Sequence, residues 1–585
     1  MHNKILVKRG LEFVTTGDLP QAAEVFRQVL AENPNDVESY NYLGAVQYGM
    51  HLFEKAESSL RHALKLNPEN PDALCNLGAL LISTHRLEEA KNCLESVIRM
   101  RPGFSEAYSN LGLIQMHEGL LAEAELSFRC AIERKPNSPE IYNNLGLVQT
   151  KRLLLAEAEL SFHRAIELNP KFPDAYNNLG IVLKGMRRLE EAARYTYRAI
   201  KLNPNFAEAY NSLGTVLTDI NCYEAAEACF YHAIRIQPDY LEPYHNLGVL
   251  FTTINRLSQA EAYFCRALNL NPNYVETEFS LATLYLLQAQ YEKGWEKYDK
   301  SRMIKYSQAQ PEAPRWRGEN LTGKRILLYY EQGFGDTLFF VRYAPLVAKI
   351  AGKTVLWVQE PLQRLLDSSF PFLAVHGTTD IPPGEFDFCC PLPSLPMVFN
   401  TAAKDIPRTI PYIKVCSEIA AKWGKAAEEL NRARIGVAWA GNPSHHNDRN
   451  RSIPIDLFAD LFADDEVIWV SLQVGAKARD LVKVPGKVFS RPEEMQDFAE
   501  TAGLITHLDL VITVDSAVAH LAGAMGKKTW LLLPFAPDWR WQMDREDSPW
   551  YPTMRLFRQR KADDWPDVIN RVRGALREEY QMRRD

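Results

Sequence analysis

A stretch late in the sequence, VITVDSAVAHLAGAMG at residues 511–526, has residue types suited to holding an anion. Its β-branched start predicts a short buried strand, and the small apolar residues at 517–525 predict a helix. Asp515 and Ser516 form the polar turn between them. A helix start at the carboxyl end of a parallel sheet exposes unpaired backbone N–H groups, which favour phosphate. Alternatively, Asp515 only caps the helix.

A second stretch, EQGFGD at residues 331–336, follows a predicted strand in the same way. Gly333 and Gly335 permit a tight turn and a close approach of the backbone to a ligand. The stretch is not a Walker loop, because no Gly-Lys-Ser/Thr sequence follows it. Asp336 would lie at the mouth of a cleft, where its carboxylate could accept a proton from an attacking hydroxyl. The alternative for Asp336 is again a helix cap.

A third stretch, HHNDRNR at residues 445–451, offers positive charge. Arg449 and Arg451 have guanidinium groups that match the oxygens of a diphosphate, although a solvated surface loop has the same composition. His445 and His446 have no further ligand at metal-binding spacing, so we expect no metal site. Without a carboxylate-held divalent ion, the arginines and a helix start would have to neutralise a leaving diphosphate.

The composition excludes several classes of protein. With 585 residues the chain needs two or more domains, and 46% apolar and 24% charged residues are ordinary for a globular protein. A net charge of −6 argues against a general nucleic-acid binder or a basic membrane-surface protein. Nine scattered cysteines without a C-x-x-C give no disulfide framework, and no apolar run is long enough to span a bilayer. We therefore expect a cytoplasmic protein.

The first half of the sequence repeats itself every 34 residues. Glycine, alanine and proline each recur eight times at this spacing, and Ala282 takes the ninth glycine place. The pattern resembles the tetratricopeptide repeat, a pair of antiparallel helices that stacks into an all-α superhelical solenoid. Glycine would lie where the two helices cross, and proline would mark the turn into the next repeat. The repeated glycines are Gly10, Gly44, Gly78, Gly112, Gly146, Gly180, Gly214 and Gly248.

Asparagine recurs two residues before the repeated glycine, with Ser212 as an interruption. A carboxamide donates and accepts, so a row of carboxamides can hold the backbone of an extended peptide without reading its sequence. This row is similar to the asparagine ladder in the repeats of O-GlcNAc transferases. The alternative is that asparagine simply fills a wet helix face. The predicted acceptor-binding residues are Asn76, Asn110, Asn144, Asn178 and Asn246.

The second half changes character, since all eleven tryptophans lie at or after Trp295. Strands and helices alternate beyond residue 320, in two series separated by a charged helical segment at 415–430. Such alternation predicts parallel sheets with covered faces, here two Rossmann-like lobes with a cleft between them. The predicted strands are residues 325–330, 354–358, 386–390, 435–439, 467–472, 510–514 and 529–533. The other predicted helices are residues 337–350, 456–462 and 493–508.

Residues from about 324 to 558 resemble a bacterial GT-B glycosyltransferase of the heptosyltransferase-like family nine. APDWRW at 536–541 and DSPWYPTMRLFRQ at 547–559 resemble the branch of that family in which the domain follows tetratricopeptide repeats. The family motifs are GFGD at 333–336, GVAWAGNP at 436–443, RNRSIP at 449–454, SLQ at 471–473 and VDSAVAHLAGA at 514–524.

The resemblance implies a role for several residues. It matches Asp336 to the catalytic base of the family, and it assigns the donor nucleotide sugar to residues of both lobes. His520 also has an ordinary interpretation as a packed helix histidine. The donor-binding residues that the resemblance implies are Gly335, Trp439, Asn442, Arg449, Arg451, Gln473, Asp515, Ser516, Ala517 and His520.

The sequence departs from the heptosyltransferase pattern in two places. The first lobe is short, and Pro345 comes later after the GFGD motif than in heptosyltransferases. The heptose substrate is therefore not implied, and the repeats would have to supply the missing acceptor surface. The expected domains are repeats at 3–307, a linker at 308–323, an N-terminal lobe at 324–414, and a nucleotide-sugar lobe with a terminal helix at 415–585.

We therefore expect a metal-independent glycosyltransferase without a cofactor, which moves a sugar from a nucleotide-diphosphate donor to a hydroxyl. The acceptor would be a protein or peptide held by the repeats. Two other functions stay open. A scaffold would bind partners through its repeats and carry an inactive transferase-like domain, and an enzyme such as an epimerase would change the donor without any acceptor.

Overall fold

The computed structural model describes residues 2–305, 311–427, 432–445, 447–463, 466–484 and 488–580. Contacts divide the chain into two compact units, Met1–Tyr240 and Leu241–Asp585. This division lies two helix pairs before the boundary near residue 320 that the composition suggests, because those two pairs, Leu241–Lys305, are grouped with the α/β part.

The first unit is all-helical, as the 34-residue period predicts, and each helix packs against its neighbours in sequence. Within the described residues its helices are α1 (His2–Thr16), α2 (Leu19–Glu32), α3 (Val37–Gly49), α4 (Phe53–Leu66), α5 (Pro71–Ser83), α6 (Leu87–Met100), α7 (Ser105–His117), α8 (Leu121–Arg134), α9 (Pro139–Lys151), α10 (Leu155–Leu168), α11 (Pro173–Gly185), α12 (Leu189–Leu202), α13 (Ala207–Asp219) and α14 (Tyr223–Ile236).

The repeated glycines lie where the two helices of a pair touch. A methyl group added at Gly214 would come within 2.5 Å of Phe230, and one added at Gly146 within 2.7 Å of Phe162. Both phenylalanines are almost completely buried. Each repeated glycine faces the residue sixteen positions later, which is Phe or Leu except for Thr196 opposite Gly180, so the repeat contains its own packing contact.

The second unit begins with four more repeat helices and continues with two sheets. The helices are α15 (Leu241–Thr253), α16 (Leu257–Leu270), α17 (Val275–Leu287) and α18 (Tyr291–Lys305). The expected end of the repeats at residue 307 lies outside the described residues.

The first sheet holds four parallel strands in the order β3-β2-β1-β4. Its elements are β1 (Arg325–Tyr329), α19 (Phe334–Phe340), α20 (Ala344–Ala348), β2 (Lys353–Trp357), α21 (Glu360–Ser369), β3 (Ala374–His376), β4 (Phe388–Pro391) and α22 (Leu395–Val398).

The second sheet holds five parallel strands in the order β6-β5-β7-β8-β9. Its elements are α23 (Ser417–Ala427), β5 (Ala433–Ala438), α24 (Asp448–Arg451), α25 (Ala459–Phe462), β6 (Val467–Ser471), α26 (Phe498–Thr506), β7 (Leu510–Val514), α27 (Ala517–Ala524), β8 (Thr529–Leu533), β9 (Met554–Arg558) and α28 (Trp565–Tyr580).

The strand pairings confirm the predicted parallel sheets, and the strand orders show where the loops after β1 and β7 leave them. In each sheet the strand order reverses direction beside the first strand, between β1 and β4 and between β5 and β7. Ligands of open α/β sheets bind outside the carboxyl ends of the strands at such a point. The loops that follow β1 and β7 both leave the sheet there, and these loops carry the two candidate carboxylates.

Some elements differ from their prediction. The helix expected at 337–350 is broken into α19 and α20, because Pro345 offers no N–H to the carbonyl of Val341 and cannot continue the helix. The helix expected at 493–508 begins only at Phe498. The helix expected at 415–430 is described only to Ala427. Strands β3 and β9 were not predicted, because they are short or interrupted by charged residues.

The last repeat helix, α18, is built into the α/β part. Trp295 donates its indole N–H to the carbonyl of Thr401 at 2.9 Å, and the Tyr298 hydroxyl donates to Gln332 Oε1 at 3.2 Å. The fully buried guanidinium of Arg302 forms an ion pair with Glu331, at the end of β1. This helix therefore supports the loop that follows β1.

The described part of the expected linker is also ordered against the sheet. The Trp316 N–H donates to the carbonyl of Cys389 in β4 at 2.8 Å, and the Cys389 N–H donates back to the carbonyl of Pro314 at 2.8 Å. Residues 308–310 lie outside the described residues. Among the helices of the described residues, none combines the length and the apolar character that crossing a membrane requires.

Candidate functional site

The starts of α19 and α27 lie against each other. A methyl group added at Gly335 would come within 2.9 Å of the His520 ring and 3.7 Å of the Ala517 Cα. Only glycine permits this approach, which resembles the contacts in the repeats. The loops after β1 and β7 therefore share one site, although they belong to different sheets and lie far apart in the sequence.

Asp336 is held by two donors at this site. Its Oδ2 accepts a hydrogen bond from the Gly333 N–H at 3.1 Å, so the carboxylate caps α19. Its Oδ1 forms an ion pair with the Arg540 guanidinium. The side chain keeps 26% of its surface exposed, so solvent or a ligand can reach it. Burial raises the pKa of Asp336 and nearby Asp538 adds to the rise, while Arg540 opposes it.

Arg540 was not predicted as a site residue, although it lies in the quoted APDWRW motif. It belongs to a 3-10 turn, Trp539–Trp541, which Asp538 caps by accepting from the Arg540 N–H at 3.0 Å. The Arg540 guanidinium also donates to Asp538 at 2.9 Å and lies over the rings of Phe339 and Trp539. Its side chain is 8% exposed. The feature that marks Arg540 as a site residue is that its buried guanidinium pairs with both Asp336 and Asp538. This convergence is not visible in the sequence.

The start of α27 has free anion-binding capacity. Ser516 is the N-cap residue with extended backbone, and no side chain of the described residues makes a capping hydrogen bond there. The Ser516 hydroxyl instead lies 3.3 Å from the Thr513 hydroxyl. Asp515 therefore does not cap the helix. The first N–H groups of α27, beginning at Ala517, keep the partial positive charge that attracts phosphate.

Asp515 is half-buried beside this helix start. Burial raises its pKa to about 6, and Asp538 contributes to the rise, while Arg451 opposes it. The carboxylate of Asp515 thus changes charge near neutral pH.

His520 is packed between aromatic rings. Its ring stacks on Trp541 with 5.3 Å between centroids, and its Nδ1 lies 3.0 Å from the Tyr551 hydroxyl. Burial lowers the pKa of His520 well below its usual range, and nearby arginines lower it further. The histidine is therefore neutral and 5% exposed, and it fixes the contact between α27 and Gly335.

Two residues that the resemblance assigns to the donor are buried in the second lobe. The Trp439 side chain lies in the core of the second sheet. The Gln473 side chain accepts from the N–H groups of Trp439 at 3.2 Å and Ala440 at 3.0 Å, so it fixes the loop after β5. Both side chains are therefore buried, and Gln473 positions the loop after β5.

The remaining predicted donor residues surround the same loop. Asn442 and Arg449 are exposed, and Asn442 accepts from the Ser444 N–H at 3.0 Å in a local turn. Arg451 is half-buried against Gly441, where an added methyl group would meet its guanidinium at 2.7 Å. Arg451 opposes the rise in the pKa of Asp515, so its guanidinium lies near the start of α27.

The asparagines of the repeats are half-buried and linked between neighbouring pairs. Asn76 donates to Asn41 Oδ1 at 2.8 Å, Asn178 donates to Asn143 Oδ1 at 3.0 Å, and Asn110 lies 3.7 Å from Cys75 Sγ. The partner position, three residues before the glycine, was missed in the sequence. These contacts fix the orientation of the carboxamides. Asn144 and Asn246 lie in the same phase on α9 and α15.

Within the described ranges, no group of three or more histidine, cysteine, aspartate or glutamate side chains is placed to hold a metal ion.

Comparisons with known proteins match the repeats and the α/β part to different families. Models of the tetratricopeptide repeat match residues 7–71, 48–111, 105–138, 173–206 and 205–273. The model of glycosyltransferase family 9 (heptosyltransferase) matches residues 495–532, which contain α26, β7 and α27. The chain has the architecture of a tetratricopeptide-repeat protein with a glycosyltransferase-like C-terminal region. The family 9 match thus falls on the half of the candidate site that contains the start of α27.

One curated relative is Protein FlbA of Caulobacter vibrioides, which is 25% identical over 328 residues. The match covers 51% of this chain and 54% of FlbA, so the chain spans about half the length of that relative.

Two solved structures are similar to parts of the chain. The Cut9–Hcn1 hetero-tetramer of the APC/C is 15% identical, with a TM-score of 0.42 over 48% of this chain and 55% of that chain. YrrB, described as a TPR protein with an unusual peptide-binding site, is 25% identical, with a TM-score of 0.27 over 32% of this chain and 96% of that chain.

Proposed function

We propose that this protein is a glycosyltransferase that moves a sugar from a nucleotide-diphosphate donor to a hydroxyl of a protein or peptide bound by its repeats. The observation that carries the proposal is the meeting of two helix starts through Gly335, one with a held carboxylate and one with unsatisfied N–H groups. General-base and anion-stabilising groups are the two requirements of glycosyl transfer.

The proposed chemistry uses these groups in one displacement. Asp336 accepts the proton of the acceptor hydroxyl, and the acceptor oxygen forms a bond to the anomeric carbon of the donor sugar. The bond between that carbon and the diphosphate oxygen breaks, and its electron pair leaves with the diphosphate. The start of α27 and the guanidinium of Arg451 stabilise the charge on the departing diphosphate. No cofactor or metal ion is part of this proposal.

The proposed acceptor site is the row of carboxamides in the repeats. The pairs Asn76–Asn41 and Asn178–Asn143 leave each donor asparagine with a fixed amide plane. A fixed amide can hold a peptide backbone with less loss of conformational entropy than a mobile one. Because backbone groups are the same in every peptide, such a row would accept many sequences.

The experiment that tests the proposal is calorimetry of the full chain with a panel of nucleotide sugars, followed by a transfer assay with the sugar that binds. Binding and transfer are both expected. In Asp336→Ala we expect that donor binding is retained and transfer stops. Unchanged transfer in this variant would remove Asp336 from the mechanism, and donor consumption without any acceptor would indicate an epimerase-like or hydrolytic reaction.

A second candidate function is a scaffold with an inactive transferase-like region. The observation that favours it is that both carboxylate oxygens of Asp336 already have donors, as expected of a purely structural cap. The same calorimetry separates the candidates. Silence across the whole panel, with the protein folded, favours the scaffold.

A further inference from the structure

We propose that Arg540 is a positioning residue for Asp336, which aims the carboxylate and keeps it ionised within a partly buried site. This inference rests on the proposed function of Asp336 as the base. It also assigns a role to the APDWRW segment, which brings Arg540 across the site to the loop that follows β1.

The first support is the geometry of the pair. The Gly333 N–H holds one oxygen of Asp336 and the Arg540 guanidinium holds the other, so the carboxylate cannot rotate freely. The guanidinium itself is fixed by Asp538 and by the rings of Phe339 and Trp539. A base with a fixed orientation transfers a proton more efficiently than a mobile one.

The second support is the charge around Asp336. Arg540 and Asp538 come from the segment after β8, Tyr298 comes from α18, and His520 comes from α27. Burial raises the pKa of Tyr298 to about 12 and lowers the pKa of His520, so neither is charged at neutral pH. Asp515 faces the same Arg540–Asp538 pair.

The balance of these charges explains why an arginine is needed. Asp538 and burial both favour the protonated form of Asp336, and Arg540 opposes them. Without Arg540 the two carboxylates would repel each other in a partly desolvated site, and the pKa of Asp336 would rise further. A protonated Asp336 cannot accept the proton of the acceptor hydroxyl.

The test compares the pH dependence of kcat/KM in wild type, Arg540→Met and Arg540→Lys, with the nucleotide sugar that gives the largest heat in the panel. In Arg540→Met the acid limb of the profile is expected to move to higher pH. In Arg540→Lys, which keeps the positive charge, the limb is expected to stay near that of wild type. A residue that only stabilises the fold would lower the rate at every pH and leave the limb in place, which would overturn the inference.

Arg545→Met is the matched control. Arg545 lies in the same segment and pairs with Asp547 through two hydrogen bonds of 2.8 and 2.7 Å, away from Asp336. The acid limb of this variant is expected to coincide with that of wild type. A shift as large as that of Arg540→Met would overturn the inference, because the effect would not be specific to Arg540.

A measurement without substrate separates this inference from the proposed function. The coupling between Arg540→Met and Asp336→Asn in thermal unfolding is expected to be larger at neutral pH than at acid pH, since the attraction needs the ionised carboxylate. Absence of coupling would overturn the inference even if transfer is found. If coupling is present and Asp336→Asn still transfers sugar at the wild-type rate, the proposed role of Asp336 as base fails instead. If Arg540→Met does not fold, Arg540→Gln, which also removes the positive charge, replaces it in both measurements.

Discussion

Two helices begin within the candidate site, and they treat their first backbone N–H groups in opposite ways. The start of α19 is closed, because the Asp336 carboxylate accepts from the Gly333 N–H. The start of α27 is open, because within the described residues no side chain caps it at Ser516. One helix start therefore fixes a carboxylate, and the other leaves positive potential for an anion.

In the proposed glycosyl transfer, this difference would allow one site to hold both the base and the diphosphate. A capped helix start repels a second anion, since the carboxylate already occupies its field. An open start attracts a diphosphate but offers no base. Because Gly335 allows the two helix starts to touch, the held carboxylate of α19 and the uncapped start of α27 lie side by side.

The largest effect on this comparison of the two helix starts is expected for Asp336→Asn. The amide oxygen of asparagine still accepts from the Gly333 N–H, so α19 stays capped, but the side chain can no longer accept a proton at neutral pH. We expect transfer to fall by about 100-fold or more, with donor affinity nearly unchanged. The checks are single-turnover kinetics and calorimetry. A full rate in this variant would mean that the closed helix start serves folding alone.

The second prediction converts the open helix start into a closed one. In Ser516→Asp the extended N-cap residue gains a carboxylate that can accept from the first N–H groups of α27. Donor binding is expected to weaken about tenfold, the equivalent of about 1.4 kcal/mol. The free energy of unfolding is expected to rise by up to about 1 kcal/mol.

Ser516→Asn is the control for this change, since it caps without charge. Its loss of donor affinity is expected to be smaller than that of Ser516→Asp. Calorimetry and chemical denaturation measure both quantities. Equal losses in the two variants would show that steric fit, and not charge, determines binding at this helix start.

The third prediction concerns pH. The pKa of Asp515 is raised to about 6, so this carboxyl is neutral below that pH and negative above it. A negative Asp515 repels the diphosphate, and donor binding should therefore tighten by a few fold as the pH falls through about 6. Calorimetry between pH 5 and pH 8 tests this dependence. In Asp515→Asn the dependence should disappear, and its persistence would place the titrating group elsewhere.

The smallest expected effect is that of Asp538→Asn. Asparagine retains the cap of the 3-10 turn, while its neutral side chain no longer raises the pKa of Asp336. The acid limb of the transfer profile should therefore move to lower pH, in the direction opposite to Arg540→Met. A shift to higher pH would show that Asp538 acts mainly by holding Arg540 in place.

The sequence predicts some glycine contacts and not others. In the repeats each glycine meets a residue sixteen positions later, such as Phe230 for Gly214, so the pattern itself contains the contact. Gly335 meets His520, which lies on α27 beside the other sheet, and no periodicity relates the two residues. The sequence predicts that Gly335 permits a close approach to its backbone, but that His520 is the group that approaches became visible only in the fold.

The charged residues of the site show the same difference between local signals and contacts that form only in the fold. Asp336 and Ser516 were predicted because each follows a strand and starts a helix, which is a local signal. Arg540 was not predicted, because its function depends on two carboxylates that converge only after folding. Trp439 and Gln473 were matched by motif to the donor, and the burial of their side chains became visible only in the fold, because a motif does not indicate burial.

The insertion of α18 into the α/β part has a consequence for how this protein can be divided. Trp295 packs edge-on against Trp539, the neighbour of Arg540, with 5.3 Å between ring centroids, and Gln542 donates to the Tyr291 hydroxyl at 2.8 Å. A shortened protein that kept only the two sheets would lose one wall of the candidate site and expose several indole rings to water. Any transfer of this region to another protein must therefore include α18, Tyr291–Lys305, together with the two sheets.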